Sequence, residues 1–142
     1  MSNSSNAPLL LHVFPTFGTG GAQVRFCDVA NFFGHRWRHI VVAMDDVTTC
    51  RERLDPKLDI TFTPMKLPKG NTIGNVLRCR SVLTKSKPAT LLTTNWGSIE
   101  WALANIPVGT RHVHIEEGLG PDEVEHQYLR RVWTRRLALR RS

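Results

Sequence analysis

Apolar and polar positions along the chain follow two periods that alternate with each other. Apolar runs of strand length lie at residues 9–14, 38–44, 59–63, 90–94 and 111–115. Apolar residues recur at helical spacing over residues 22–33, 71–85, 98–105 and 121–140. Strands separated by helices need crossover connections, and these produce a mainly parallel sheet with helices on both faces. The pattern therefore predicts an α/β, Rossmann-like fold with about five strands.

The composition is that of an ordinary globular domain. Of the 142 residues, 41% are hydrophobic and 22% are charged, which suits one domain with a proper core. We assign residues 1–8 to a flexible N-terminus and residues 9–142 to one domain. The N-terminus lacks the basic start of a signal peptide and no segment approaches a membrane span, so we expect a cytoplasmic protein.

Three cysteines, Cys27, Cys50 and Cys79, are widely separated along the chain. They form no close pair and show no metal-type spacing, so we predict neither a disulfide framework nor a zinc site. Neither a metal nor a resident cofactor is expected. Cys27 is interpreted as core packing on the first helix.

A glycine-rich loop at residues 16–23 joins the first predicted strand to the first helix. Such a junction gathers unpaired backbone N–H groups at the positive end of a helix dipole, where an anionic or hydroxyl-rich ligand can bind. The spacing lacks the third glycine of the dinucleotide fingerprint and the Gly-Lys-Ser/Thr of a P-loop. The alternative, in which the glycines only permit a tight turn, stays open.

Two further loops follow the fourth and fifth predicted strands, at residues 95–98 and 116–120. In open parallel sheets, ligands bind outside the carboxyl ends of the strands, near the switch in strand order. Together with the glycine loop, these segments contain most of the polar residues suited to a site.

The same segments resemble the N-terminal domain of glycosyltransferase family 4, retaining enzymes of the GT-B fold. The resemblance rests on Gly20-Gly21-Ala22-Gln23, the helix to Gly34-His35, strand 38–42, and the segments 95–101 and 114–123, and it covers nearly the whole chain. In the GT-B fold the acceptor lies largely on the N-terminal domain and the nucleotide-sugar on the C-terminal domain. That C-terminal donor domain is absent here, together with its pair of glutamates, so we expect the isolated chain to be inactive.

The resemblance implies transfer of a sugar from a nucleotide-sugar to a sugar or lipid-linked acceptor hydroxyl, with retention. Gly20, Gly21 and Gln23 would then meet the donor phosphates, with backbone N–H groups stabilising the leaving nucleoside diphosphate. His114 is the candidate catalytic residue, because a histidine ending the fifth strand can hydrogen-bond the transferring sugar or the acceptor. The candidate acceptor-binding residues are Asn95, Trp96, Glu116 and Glu117.

These assignments have structural alternatives. Ring side chains that can simply fill the core are His12, Trp96, Trp101, His112 and His114. We expect His12 and His112 to be structural. Adjacent carboxylates point apart on an extended backbone, so we expect only one of Glu116 and Glu117 to face the site.

The net charge of +7 is concentrated near the C-terminus, where the last predicted helix holds Arg130, Arg131, Arg135, Arg136, Arg140 and Arg141. A basic amphipathic helix can dock on an anionic membrane surface, here at the inner membrane face, or on nucleic acid. It can also be a solvated face with an apolar stripe packed on the rest of the protein. No nucleic-acid motif is visible, so nucleic acid is not favoured. A non-catalytic ligand-binding module remains the other alternative to the transferase.

Overall fold

The computed structural model describes residues 6–117 and 129–140. The strands are β1 (Leu9–Phe14), β2 (Arg38–Ala43), β3 (Ile60–Pro64), β4 (Thr90–Thr94) and β5 (Arg111–Ile115). The helices are α1 (Gly21–Phe33), α2 (Thr72–Ser86), α3 (Ile99–Asn105) and α4 (Leu129–Ala138), with short 3-10 turns at Gly34–Arg36, Thr49–Arg53 and Trp96–Ser98. The predicted start of the last helix, at residue 121, lies outside the described residues.

All five strands are parallel, in the order β3-β2-β1-β4-β5. Leu11 of β1 lies opposite Leu91 of β4, and Thr93 of β4 lies opposite His114 of β5. Because β2 and β3 extend the sheet to one side of β1 while β4 and β5 extend it to the other, the switch in strand order lies between β1 and β4. The predicted Rossmann-like α/β fold is confirmed.

The two ends of α2 are set by local chemistry. Asn71 precedes the helix, and its Oδ1 accepts the N–H of Gly74 at 3.1 Å. Lys87 ends it in the left-handed region at φ 45°, directly before Pro88, which cannot continue a helix. The chain is thereby turned into β4, which enters the sheet beside β1.

One face of the sheet, here called the α2/α3 face, is sealed by α2 and α3. The fully buried cluster on it consists of Leu11, Val13, Val42, Cys79, Leu83, Leu91, Trp101 and Ala104. Trp101 is 0% exposed, which confirms the core interpretation for this residue. The two helices lie together here because right-handed crossovers from β3 to β4 and from β4 to β5 pass over the same face.

The opposite face, here called the α1 face, carries α1 without a second long helix among the described residues. Over β2 and β3 it is closed by a cluster of Phe14, Phe17, Cys27, Val41, Ala43 and Cys50. Over β1 and β4 it leaves a cavity of about 360 Å³, bordered by Leu10, Phe26, Val29, Leu92 and Ile115 among others. Beyond the cavity, Val113 of β5 is 41% exposed.

Cys27 and Cys50 come together in space, with their sulfur atoms 3.8 Å apart. The spacing of the cysteines along the sequence does not reveal this contact, which arises because α1 packs against the turn that follows β2. Both are buried free thiols. Burial, and then the hydrogen bond with Cys50, raises the pKa of Cys27 to about 12, so its thiol stays protonated. The core interpretation of Cys27 is confirmed.

Candidate functional site

Three loops meet at the carboxyl edge of β1, β4 and β5. A Cβ atom on Gly97 would lie 2.8 Å from Cγ of Pro15, so the loops after β4 and β1 touch where only glycine fits. Asn95 joins β4 to β5, because its backbone N–H donates to the carbonyl of Ile115 at 2.8 Å. Its side-chain Oδ1 accepts the N–H of Glu117, also at 2.8 Å. The edge predicted to hold a site is therefore one connected surface.

Asn95 holds this position at a conformational cost. Its φ is +57°, in the left-handed region that Asn tolerates better than most residues with a side chain. Its carbonyl also accepts hydrogen bonds from the N–H and the hydroxyl of Ser98, at 3.2 and 2.9 Å. These contacts fix Asn95 as the link between the two loops, and its predicted acceptor contact stays a prediction.

The glycine loop presents free donors at the start of α1. Gly20 is the N-cap residue, no side chain caps the helix, and the first turn contains no acidic residue. The first helical hydrogen bond runs from Val24 N–H to Gly20 O at 2.9 Å. Among the described residues, the N–H groups of positions 21–23 therefore have no hydrogen-bond partner. These are the unpaired donors that the sequence predicted at this junction.

Within this loop, Gln23 and Gly21 differ in surroundings. Gln23 is only 7% exposed, and its Nε2 donates to the carbonyl of Thr16 at 2.9 Å, so it braces the loop from inside. A Cβ on Gly20 would lie 2.7 Å from Oε1 of Gln23, whereas one on Gly21 would have no atom within 4 Å. The space in front of the α1 N–H groups is therefore open at Gly21.

The neighbouring carboxylates at the end of β5 diverge, as predicted for an extended backbone. Glu117 forms an ion pair with Arg25 of α1 on the α1 face. Glu116 accepts, through Oε2, a hydrogen bond from His114 Nε2 at 3.1 Å on the α2/α3 face. At this edge, one glutamate therefore lies on each face of the sheet.

A series of side-chain hydrogen bonds leads from the interior to Glu116. Thr93 Oγ1 lies 2.7 Å from His112 Nε2 and 2.8 Å from His114 Nδ1. Because an ionised carboxylate only accepts, His114 Nε2 carries the proton shared with Glu116, and a neutral His114 then accepts the Thr93 hydroxyl at Nδ1. The Thr93 oxygen in turn accepts from His112 Nε2–H.

Burial, and then the neighbouring His114, lowers the pKa of His112 to about 4, so the His112 ring stays neutral near pH 7.

His114 lies behind Glu116 rather than open to the edge. Its side chain is 6% exposed, against 33% for that of Glu116, and both of its ring nitrogens are hydrogen-bonded. A ligand at the edge would meet Glu116 first, so His114 is placed to orient that carboxylate. Its catalytic role stays a prediction, with Glu116 as the group between it and a substrate.

Trp96 is half-buried and packs with Ile99 and Ala102, next to Leu139 from the end of α4. This packing on Ile99 and Ala102 is what the structural alternative for Trp96 requires. Stacking of Trp96 on a sugar ring stays a prediction for the part of its surface that remains exposed.

His12 and His39 form a buried pair beside the cavity on the α1 face. His12 Nε2 lies 3.1 Å from His39 Nδ1, and His39 Nε2 lies 2.9 Å from the carbonyl of Gly34. The carbonyl fixes the tautomer, because His39 must donate from Nε2 and therefore accepts from His12 at Nδ1. Burial, and then His39, lowers the pKa of His12 to about 3. The structural interpretation of His12 and of the buried His112 is confirmed.

Sequence reasoning missed Arg25 and Thr93. Arg25 stands one helical turn after Gly21, and that spacing was the only signal that it lies near the glycine loop. Thr93 could be found only from the register of β4 and β5, because a threonine in a strand gives no sign of its partner. No group of three or more potential metal ligands lies together in the part of the chain that the structure describes.

No family model and no curated protein sequence matches the chain. Solved structures do share its fold. The UDP-GlcNAc 2-epimerase from Neisseria meningitidis bound to UDP-GlcNAc has a TM-score of 0.61 at 20% identity, over 94% of this chain and 39% of that one. S. aureus MnaA with UDP has a TM-score of 0.61 at 17% identity, over 92% and 35%. UDP-N-acetylglucosamine 2-epimerase from Rickettsia bellii has a TM-score of 0.60 at 19% identity, over 96% and 37%.

At these identities the similarity shows the fold alone. The chain spans between 35% and 39% of the length of these three structures. They are epimerases, a different enzyme class from glycosyltransferases, although the two classes share the GT-B fold. The comparisons therefore support the Rossmann-like α/β fold, and they do not place the chain in glycosyltransferase family 4.

Proposed function

We propose that the carboxyl edge of β1, β4 and β5 binds the diphosphate of a nucleotide-sugar at the start of α1. The observation that carries this proposal is the set of unpaired N–H groups at positions 21–23, with open space at Gly21 and no acid in the first turn. The donors lie beside the switch in strand order, where ligands bind in sheets of this type.

Arg25 adds an exposed positive charge to this edge. Its side chain is 64% exposed although it is paired with Glu117, so solvent and ligands can reach the guanidinium. A phosphate group, like a carboxylate, can accept two parallel N–H donors from arginine, so it can compete with Glu117 for Arg25. This exchange favours an anionic ligand over a neutral sugar at the α1 side of the edge.

The reaction that we propose is transfer of the sugar to an acceptor hydroxyl with retention. The bond from the anomeric carbon to the diphosphate oxygen breaks, and a bond from that carbon to the acceptor oxygen forms on the same face of the sugar. The acceptor proton passes to the leaving nucleoside diphosphate, whose charge the N–H groups of α1 stabilise. Glu116, oriented by His114 and Thr93, accepts a hydrogen bond from the acceptor hydroxyl. We propose that a second domain of the GT-B type supplies the remaining donor contacts.

A second candidate reaction is epimerisation of a UDP-linked N-acetylglucosamine, which the names of the similar structures favour. Both reactions begin with nucleotide-sugar binding. They differ in what leaves the site, because transfer releases UDP and epimerisation returns an isomer of the same nucleotide-sugar.

Binding is tested by isothermal titration of the chain with UDP and with UDP-GlcNAc. Gly21→Ala adds a methyl group in front of the donors without touching the protein, so affinity should fall roughly 10- to 100-fold, as for loss of a hydrogen bond to a charged group. Gly18→Ala is the matched control, since its Cβ would meet only ordinary contacts at 3.5 Å or more. Absence of binding by the unmodified chain, or equal losses in both variants, contradicts the proposal.

The reaction is tested by incubating the chain with UDP-GlcNAc and simple sugar acceptors, followed by NMR. Release of UDP with a new glycoside supports transfer, and appearance of a second UDP-sugar isomer supports epimerisation. Binding with no turnover supports the non-catalytic module, or a half-site that needs a second domain.

A further inference from the structure

We propose that α4 docks this chain on an anionic lipid surface, through a stripe formed by Leu129, Trp133 and Leu137 and through the arginines of the same helix. The proposal is independent of nucleotide-sugar binding, because it rests on a different part of the molecule. In the described residues no helix is long and apolar enough to span a membrane.

The stripe is exposed although it is strongly apolar. Leu129, Trp133 and Leu137 are 76%, 67% and 64% exposed. They stand at positions i, i+4 and i+8, so they share one side of the helix. Single exposed apolar residues are normal on a protein surface, whereas three large ones in a row form a patch that marks an interaction site.

The side of the α4 region that faces away from the stripe already packs against the rest of the protein. Leu139, just after the helix, packs on Ile99 and Ala102 of α3, and Val132 is half-buried. Packing on the rest of the protein therefore explains Leu139 but leaves the stripe uncovered by the described residues. The attachment to α3 instead holds the stripe facing outwards.

The charge of the segment selects an anionic partner. Residues 129–142 contain six arginines and no acidic residue. Arg136 and Arg140 are exposed, and the Arg136 guanidinium carbon lies 5.6 Å from the centroid of the Trp133 ring. Tryptophan and arginine suit a headgroup region, where the ring and the arginine stem are apolar while the guanidinium meets phosphate.

Lipid is favoured over nucleic acid by the stripe itself. Nucleic acid binding is dominated by phosphate contacts with arginine and lysine, and it gains nothing from the exposed Leu129 and Leu137. An interfacial helix needs both features, an apolar side that enters the acyl boundary and cations that meet anionic headgroups. An anionic lipid surface is the partner that can contact both the apolar stripe and the arginines.

The test is sedimentation of the full chain with vesicles of phosphatidylglycerol mixed with phosphatidylcholine, compared with phosphatidylcholine alone. We expect binding to the anionic vesicles, weaker binding to the neutral ones, and a loss in high salt. Trp133 should show a blue-shifted fluorescence on binding, and Trp133→Phe should remove that shift. No binding to the anionic vesicles overturns the proposal.

Two sets of variants separate the apolar and the charged parts. Leu129→Gln with Leu137→Gln should weaken vesicle binding at least roughly tenfold, while Ile73→Gln, at a site 79% exposed on α2, should not. Arg136→Gln with Arg140→Gln should lower affinity for the anionic vesicles roughly fivefold per charge. Circular dichroism checks that each variant stays folded.

The outcomes are distinct from those for nucleotide binding. A leucine variant that sediments like the unmodified chain overturns lipid docking, as does salt-sensitive binding of single-stranded RNA with no vesicle binding. The same variant should keep the unmodified affinity for UDP, so failure of one proposal does not imply failure of the other.

Discussion

The two faces of the same sheet are covered to different extents. On the α2/α3 face, α2 and α3 close over a core that includes Leu91 and Trp101, both 0% exposed. On the α1 face, α1 leaves a cavity of about 360 Å³ over β1 and β4, and it is lined by His12 and His39 as well as by apolar residues. One set of strands thus supports a sealed core on one side and an open groove on the other.

The difference follows from topology rather than from hydrophobicity. Strand β4 is apolar on both faces, but right-handed crossovers send α2 and α3 to one side only. We infer that the α2/α3 face contributes most of the stability, while the α1 face has apolar surface left for contact with another element.

The largest expected effect compares two adjacent leucines of β4. Leu91 points into the sealed core, and Leu92 borders the cavity. Leu91→Ala should lower the free energy of unfolding by about 2–5 kcal/mol, and Leu92→Ala by less than half of that, because its neighbours already leave space. Urea unfolding followed by circular dichroism measures both. Equal losses would show that the cavity is filled in solution.

A pH titration of stability compares His12 and His112, one on each face. Both have a pKa in the folded state below the ordinary 6.5, at about 3 and about 4. The unfolded chain therefore binds these protons more readily, and stability present above pH 6.5 is lost as pH falls toward these values. Each histidine contributes a slope of about 1.4 kcal/mol per pH unit within its window.

His12→Gln should remove the contribution of one titrating proton to the pH dependence of the free energy of unfolding, while it keeps an N–H donor for His39. His112→Gln should remove one such contribution over a narrower pH window, which ends near pH 4. The measurement is the free energy of unfolding at several pH values between 4 and 7. A His12→Gln variant with the slope of the unmodified chain would mean that the α1 face opens and exposes the ring.

The smallest expected effect is at the edge, where both faces meet. Gly97→Ala should lower stability by about 1–3 kcal/mol, because the added carbon lies 2.8 Å from the rigid ring of Pro15. Gly21→Ala, with nothing within 4 Å, should change it by less than about 0.5 kcal/mol. Thermal unfolding measures both, and similar values would show that the loops after β1 and β4 separate in solution.

The sequence predicted those features that depend on local pattern. Strands β4 and β5 begin and end where their apolar runs do, and the helix after the glycine loop starts within one residue of the prediction. Proline and glycine mark most of the remaining boundaries. These features need no knowledge of how distant segments meet.

Features that join distant segments could not be predicted. The sulfurs of Cys27 and Cys50 meet only because α1 packs against the turn after β2. The hydroxyl of Thr93 finds His114 only because β4 and β5 pair in one particular register. Pattern and spacing do not contain the strand order, so every contact across the sheet had to come from the structure.

The Asn95 link between the loops after β4 and β5 also bears on the thermodynamics of association. Since the two loops are already joined through Asn95 and packed through Gly97, a ligand need not freeze them when it arrives. Mobile loops lose conformational entropy on binding, whereas these two loops have already lost it when the chain folds. Differences in affinity among ligands should then reflect their contacts with the edge, with little contribution from loop ordering.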